Sequence, residues 1–406
     1  MSLFYLIFIA IAAYFSFKYD GIEEYGSHKQ HRVWLLCCYM ICLTGFSYGL
    51  GADKFAYMEE FAECPTQYSE AGDFIWTKLM FSGQMPLWTL LNMFCKITFN
   101  SFYAVQLIES AVVNITVCYL AGKYTRHPFL FLLIYFFSLQ YFIFNTEVMR
   151  EGFSLSLMLI GIDEYMNGRK YIYFCLLPIA ILFHVSAAIT LLFLFVRFRL
   201  TWLKLLYAFL ITLSLWLFGD LILGKIILQA LGGQEAFSKK ILFYAMQTSN
   251  IFGFTRSVLT YLILPYIVMY FSWYFEEDEN IKKKKEKLTA FMVALAIMAS
   301  AFAGAGFIRL YNNIQIFYLL SLTDFIYMLL REHKHFLLRA GTLTSTFVII
   351  VWSYFSHYES TDSYFYEFFY PYTCIIDENA DIYFREIAHL EAVGFETRDD
   401  NLRDIE

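Results

Sequence analysis

Long apolar runs separated by short polar or charged stretches recur along nearly the whole chain. A helix needs roughly 20 apolar residues to cross a hydrocarbon core ~30 Å thick. The pattern predicts about twelve such helices, over 3–18, 33–50, 102–121, 128–145, 148–166, 171–185, 187–197, 203–222, 257–275, 288–306, 310–331 and 337–357. The sixth and seventh are short, which predicts a broken or hairpin-like turn at His184. The stretch 85–100 is apolar but carries Pro86, Asn92, Lys96 and Asn100, and reads as a pair of interfacial half-helices or a re-entrant piece. The run from Leu3 to Phe17 has no basic region before it and no small-residue cleavage site after it, so it reads as a first membrane helix and not a removable signal.

Composition agrees with that pattern. Of the 406 residues, 59% are hydrophobic and only 16% charged, with 45 Phe and 32 Tyr, too apolar for a soluble globular protein. The expected fold class is an all-α polytopic membrane protein. A net charge of -6 says less than where the cations fall. More than half of the 30 basic residues lie in alternate connections: Lys18, Lys29 and Arg32; Lys123 and Arg126; Arg169 and Lys170; Arg197, Arg199 and Lys204; Lys282 to Lys285 with Lys287; and Arg331, Lys334 and Arg339. These connections are expected in the cytoplasm. The opposite ones, 51–84, 145–147, 185–187, 223–256 and 306–309, then face outward, as do both termini, and the first is acidic through Glu59, Glu60, Glu63, Glu70 and Asp73.

The chain accordingly divides into a transmembrane domain over 1–357, with outer loops 51–84 and 223–256, and an extracytoplasmic tail over 358–406. The aromatic start of the tail, Tyr364 to Tyr372, resembles an interfacial belt, and one short helix is expected near Tyr383–Ala392. No internal repeat, Gly-rich phosphate loop or dinucleotide fingerprint is present, which disfavours an ATP-driven pump; nothing suggests a nucleic-acid partner. Most of the eight Cys read as small core residues, while Cys64 and Cys374 fall in outer segments where an oxidising compartment allows pairing.

Ionisable residues at the ends of apolar runs are costly unless they face a polar cavity or a partner. The orientation above puts Arg150, Glu151, His184 and Arg309 at outer helix ends, with Asp53 opening the first outer loop. Arg150 offers a planar, permanently charged fork that suits phosphate oxygens, at a helix N-terminus whose dipole attracts anions. The plainer alternative is an Arg paired with Glu147 or Glu151 that snorkels to the interface. Glu151 reads either as a general base or as the neutraliser of Arg150. His184 reads as a hydrogen-bonded structural residue or, with an ordinary pKa near ~6.5, as the acceptor of a sugar hydroxyl proton. Asp53 follows Gly49 and Gly51, a pattern that a turn and helix cap explain; with Tyr57 one turn on, it can also bind sugar hydroxyls. Arg309 with Tyr311 repeats the outer-end cation, and a second arginine helps to hold two phosphates. Arg256, with Lys239 and Lys240, is a solvated cation by default and a further substrate contact otherwise. No second His or Cys stands at metal-ligand spacing near His184, so neither a zinc site nor another cofactor is expected.

Three pieces together carry a resemblance. Gly51-Ala52-Asp53 with Tyr57 resembles a Gly-Thr-Asp-Tyr element, Met149-Arg150-Glu151-Gly152 a Met-Arg-Gln-Gly element, and Phe183-His184-Val185-Ser186-Ala187 a Phe-His-Lys-Ser-Ala element of the EpsG family of bacterial polysaccharide-assembly membrane proteins, which is similar to Wzy-type O-antigen and capsule polymerases. Arg309 with Tyr311 matches a later arginine more loosely, and the likeness spans most of 1–330 in order and spacing. The chain departs from the family where Ser47 stands in place of an arginine shortly before the loop Asp, where Lys54 replaces Tyr, and where Glu151 replaces Gln. Lys54 is the cation able to stand in for the missing arginine.

The resemblance implies polymerisation of undecaprenyl-pyrophosphate-linked oligosaccharide repeat units on the periplasmic face of the bacterial inner membrane, on a C-type glycosyltransferase-like helical scaffold. Its implied partners are the lipid-linked glycan, membrane lipid and a chain-length regulator. Arg150 and Arg309 would then stabilise the departing pyrophosphate, His184 or Glu151 would take the acceptor proton, and Asp53, Lys54, Tyr57, Tyr311 and Arg256 would contact substrate without a metal. The rivals are a ligase or membrane sugar acyltransferase, the latter needing an acyl donor path, and a flippase or transporter of lipid-linked sugar. A transporter predicts inverted repeats and broken helices in matching halves, which the sequence does not display.

Overall fold

The computed structural model describes residues 3–20, 26–51, 53–82, 84–196, 201–221, 251–302, 309–331 and 364–376, together with 340, 344, 351, 355 and 385–387. Among these residues the chain is helical, and its β pairing is an isolated antiparallel bridge between Ser47 and Cys374. Two compact units are formed, one from 1–187 with 326–406 and the other from 188–325. Most of the expected span 337–357, the loop from 222 to 250 with Lys239 and Lys240, and the expected tail helix beyond Ile387 lie outside the described residues.

The first unit begins with α1 (Leu3–Tyr19), α2 (Gly26–Gly45), α3 (Asp53–Ala62), α4 (Ala71–Thr77) and α5 (Pro86–Phe99). It continues with α6 (Phe102–Tyr124), α7 (Pro128–Phe137), the single turn α8 (Gln140–Phe142), α9 (Met149–Met166) and α10 (Lys170–Phe183). A buried polar stripe on α6, made of Gln106, Glu109, Ser110 and Asn114, recurs at helical spacing and organises its neighbours. Gln106 donates its amide to the carbonyls of Thr44, Gly45 and Ser47 at 2.6, 3.0 and 2.9 Å. These acceptors are left over at a helix C-terminus, and their capture ends α2 at Gly45, short of the expected 50. Asn114 donates to Asn145 Oδ1 at 2.8 Å, and Asn145 donates to the Tyr141 carbonyl at 2.6 Å. Those bonds support a π-turn over Ile143–Glu147 and replace the continuous helix expected over 128–145. Pro128–Phe137 and Gln140–Glu147 instead meet at 81°, with Leu139 at a left-handed φ of 64°. Asp20 fixes the start of α7 from far away in sequence, accepting from the Leu130 amide at 2.8 Å.

The stretch 85–100 is corrected to one helix, α5. Pro86 opens it where no N–H is needed, and Asn100, at φ 48°, closes it by donating its amide to the Lys96 carbonyl at 3.0 Å. The expected break at His184 is present: α10 stops at Phe183, His184 is extended, and a 3₁₀ turn follows over Val185–Leu191. The tail is also corrected. Phe368 and Phe369 are fully buried, not laid out as a belt. The amides of Tyr48, Gly51 and Ile375 donate to the carbonyls of Thr373, Phe368 and Phe46, each at 3.0 Å, which seats the tail on the loop after α2.

The second unit contains α11 (Leu192–Phe195), α12 (Trp202–Leu221), α13 (Ile251–Ser257), α14 (Leu264–Tyr274) and α15 (Glu279–Ala301). Asn312–Arg331 forms α16, after a 3₁₀ turn over Arg309–Tyr311. Asp278 caps α15 by accepting from the amides of Asn280 and Ile281 at 2.8 and 3.1 Å. Lys285, from the basic run, is buried and pairs with Glu276 and Asp324 at 2.7 and 2.8 Å.

The number of expected spans is not reproduced. Among the described residues, Phe102–Tyr124, Ile251–Tyr274 and Arg309–Leu330 are long and apolar enough to cross a membrane, and the bent pair adds a fourth if it is one span. Leu3–Tyr19, Lys170–Phe183, Val185–Phe195 and Trp202–Phe218 are apolar but shorter. The architecture is that of an all-helical membrane protein.

Candidate functional site

The site is built where α3, α5, α9 and α10 meet over an apolar cluster that includes Tyr57, Trp88, Met149, Phe153 and Phe183. Two glycines make the approach to α3 possible: Gly49 and Gly51 take φ of 55° and 84°. A Cβ on Gly51 would lie 2.7 Å from Glu147 Oε1. Asp53 is the first residue of α3, and its amide donates to Glu147 Oε2 at 3.2 Å. Glu147, one of the two acids expected to pair with Arg150, therefore meets the start of α3.

Arg150, in the first turn of α9, pairs with an acid on another helix. Its Nη1 lies 3.3 Å from Glu60 Oε1, and its guanidinium sits 5.2 Å from the centre of the Tyr57 ring. This corrects the expected partners Glu147 and Glu151, neither of which shares the i, i+3 face that brings Tyr57 and Glu60 together on α3. The other Glu60 oxygen accepts from the Trp88 indole N–H at 3.2 Å. Tyr57 donates its hydroxyl to the Glu147 carbonyl at 3.2 Å. The Arg150 and Glu60 side chains keep 28% and 17% of their surface exposed, whereas Glu151 keeps 4%. Arg150 thus presents a partly open cation on an aromatic shelf.

His184 reaches the same end of the α9–α10 pair. Ser154, one turn along α9 from Arg150, donates to the Ala180 carbonyl at 2.8 Å and approaches the His184 carbonyl at 3.4 Å, while Phe153 stacks on Phe183 with ring centres 4.2 Å apart. The half-buried His184 ring meets Ser186 Oγ through Nδ1 at 2.7 Å.

The same unit also buries charged side chains. Lys54 is 1% exposed, and its ammonium donates to Ser47 Oγ at 3.0 Å. Burial pulls its pKa down to about 7, against the opposing attraction of Glu109 and Glu147. Glu109 is fully buried and its carboxylate oxygens make no hydrogen bond. Its Oε1 lies 3.3 Å from the place a Cβ on Gly152 would take, and that Cβ would also collide with the Phe144 carbonyl oxygen. Gly152 therefore gives α9 its close approach to both the π-turn and α6. From the tail, Arg385 donates to the carbonyls of Glu367, Gly49 and Pro371 at 3.2, 3.2 and 2.7 Å and to Thr373 Oγ1 at 3.1 Å.

Arg309, Tyr311 and Arg256 belong to the second unit. Arg309 is exposed at the start of its 3₁₀ turn, Tyr311 is buried with its ring 5.3 Å from that of Tyr261, and Arg256 is exposed in the last turn of α13, a helix that starts earlier than the expected 257. Cys64 and Cys374 are both free thiols. Among the described residues, no three His, Cys, Asp or Glu side chains gather as a metal would need.

Sequence reasoning passed over Glu60, Trp88, Glu109 and Arg385. Glu60 carries a usable signal, since it lies three residues after Tyr57 and seven after Asp53 on one helical face. Arg385 carries none, because its partner Gly49 is 336 residues away.

A family model described as the EpsG family matches residues 32–374. No curated protein and no solved structure matches the chain. The match takes in the Asp53–Tyr57 helix, Met149–Gly152, Phe183–Ala187 and the seated tail as far as Cys374, and it covers well over half of the chain. The protein is a member of the EpsG family, whose usual role is of the polysaccharide-polymerase type.

Proposed function

We propose that the protein joins undecaprenyl-pyrophosphate-linked oligosaccharide repeat units into O-antigen or another surface polysaccharide, by glycosyl transfer on the periplasmic face of the bacterial inner membrane. The observation that carries this reading is the half-open guanidinium of Arg150, backed by Tyr57 and paired on one edge with Glu60. A donor that leaves as pyrophosphate needs a cation with free N–H groups at the level where the lipid presents its phosphates. It needs no nucleotide fold, since the energy is stored in the anomeric phosphate bond.

In this reading Arg150 binds the phosphate next to the sugar and stabilises the charge that develops as the anomeric bond breaks. Arg309, as a second cation, and Arg256 are proposed as further substrate contacts from the other unit. Asp53 and Tyr57 are proposed to meet the sugar, with Lys54 and Tyr311 as further substrate-binding residues, both of them buried. The acceptor hydroxyl loses its proton to a base among His184 and the carboxylates near Arg150, and Glu147 and Glu151 are the least accessible of these. Metal-independent chemistry on a C-type glycosyltransferase-like scaffold, with a chain-length regulator as partner, completes the proposal.

Reconstitution tests it. Purified full-length protein in detergent, given lipid-linked repeat units from the same cell, is expected to lengthen the glycan, where transport has no meaning. Absence of lengthening with the cognate substrate overturns the polymerase reading and returns the flippase, ligase and acyltransferase alternatives.

A further inference from the structure

We propose that Glu60 is the catalytic base, held inactive by Arg150 until the donor's pyrophosphate displaces it. The inference rests on the polymerase reading and names the proton acceptor within it.

The geometry separates the two oxygens of Glu60. Oε1 faces the Arg150 guanidinium at 3.3 Å, and Oε2 accepts from the indole N–H of the fully buried Trp88 at 3.2 Å. Trp88 is anchored in the apolar cluster and its ring packs edge-on to Tyr57 at 5.5 Å between centres, so this second contact does not depend on Arg150. Glu60 thus sits on the cation where an anionic ligand would sit, and it has its own tether when the cation is taken. Arg150 approaches it through Nη1 and also meets Tyr57, so only part of its five-donor fork is left for phosphate.

Binding of the donor changes the carboxylate's surroundings in one direction. It loses a guanidinium and gains a phosphate neighbour. The anomeric carbon is bonded to the phosphate oxygen that Arg150 holds, so an acceptor hydroxyl that attacks that carbon on the side of the departing oxygen arrives beside Glu60, and this is the approach the inference requires. Two of the competing acids are worse placed. Glu151 and Glu147 are both 4% exposed, and Glu147 Oε2 is engaged by the Asp53 amide.

The step balances without a further reactant. The acceptor oxygen bonds to the anomeric carbon, and the bond from that carbon to the pyrophosphate oxygen breaks, its electron pair leaving on the pyrophosphate. The hydroxyl proton passes to Glu60. When the lipid pyrophosphate departs, Glu60 gives its proton to solvent and returns to Arg150.

Glu60→Gln tests this, because it keeps a hydrogen-bond acceptor for Trp88 while removing both charge and basicity. Binding is read with farnesyl pyrophosphate in detergent micelles, with farnesol as the uncharged control, and turnover with lipid-linked repeat units. Removal of the competing carboxylate is expected to tighten farnesyl pyrophosphate binding by about tenfold. Loss of a positioned base is expected to lower kcat by ~10²-fold or more. Opposite movement of affinity and turnover supports the inference. Tighter binding with unchanged kcat overturns it, leaving Glu60 a mere counter-ion, and weaker binding with lower kcat overturns it in favour of a structural role. Trp88→Phe, which keeps an aromatic core residue but removes the N–H, is expected to lower kcat without tightening binding; an unchanged kcat overturns the tether. A wild-type protein that binds farnesyl pyrophosphate yet lengthens no glycan refutes the polymerase reading, and one that lengthens glycan equally well as Glu60→Gln refutes only the base.

Discussion

The ammonium of Lys54 donates to the hydroxyl of Ser47 across 3.0 Å, so the cation that follows Asp53 reaches back to the position where the family resemblance anticipates an arginine. The pair is buried, with the Gln106 amide also on Ser47 Oγ at 3.2 Å. A charge returned to this place by a lysine has a consequence an arginine would not bring, because lysine changes protonation when buried.

Stability is expected to depend on pH through Lys54. Its folded pKa lies near 7, below the ordinary 10.5. Between these values the unfolded chain binds more protons than the folded one, so the Lys54 contribution becomes more favourable as pH rises from 7 towards 10.5 and is least favourable below 7. Lys54→Met should flatten this part of the profile. Thermal unfolding in detergent across that interval measures it, and a variant with the wild-type slope would exclude Lys54 as the source.

Arg150→Lys keeps a charge over Tyr57 but loses the planar fork. Polymer formation is expected to fall by ~10–100-fold with normal protein level in the membrane. The comparison is made on purified enzyme with lipid-linked substrate; unchanged turnover would mean that charge alone is used.

Gly152→Ala is expected to destabilise the protein by roughly 1–3 kcal/mol or more. The added methyl group meets the Phe144 carbonyl, which is backbone of the π-turn and cannot rotate away, and it presses on Glu109 Oε1. A lowered Tm with parallel loss of activity is the expected result. Equal Tm would show that α9 can shift without cost.

Arg385→Met removes four hydrogen bonds that a fully buried guanidinium gives to Gly49, Glu367, Pro371 and Thr373. The carbonyls left behind lose their donors, at a cost of about 3 kcal/mol. Protease cleavage between Tyr364 and Cys374 is expected to speed up, together with loss of activity, since the tail is seated on the loop that leads into α3. Wild-type resistance to cleavage would place the hold of the tail in its backbone bonds to residues 46–51.

Several elements of the site were legible in the sequence for a definite reason. The spacing of apolar residues set α9 and α10 as adjacent helices with a short connection, and neighbours so linked run antiparallel. That alone brings the start of α9, with Arg150, to the end of α10, with His184. The break at His184 followed from runs too short to span a bilayer.

Length and hydropathy read each element by itself, and they gave a helical membrane chain with its cations at helix ends. The tertiary structure decided which buried donor met which acceptor. Gln106 ended α2 early, Asn114 and Asn145 turned the expected span at 128–145 through a bend, and Glu60 in place of Glu147 or Glu151 took Arg150. In an apolar interior an unpaired polar group is expensive, so such pairings override helix continuity. They join residues far apart in sequence and leave no local pattern from which they can be read.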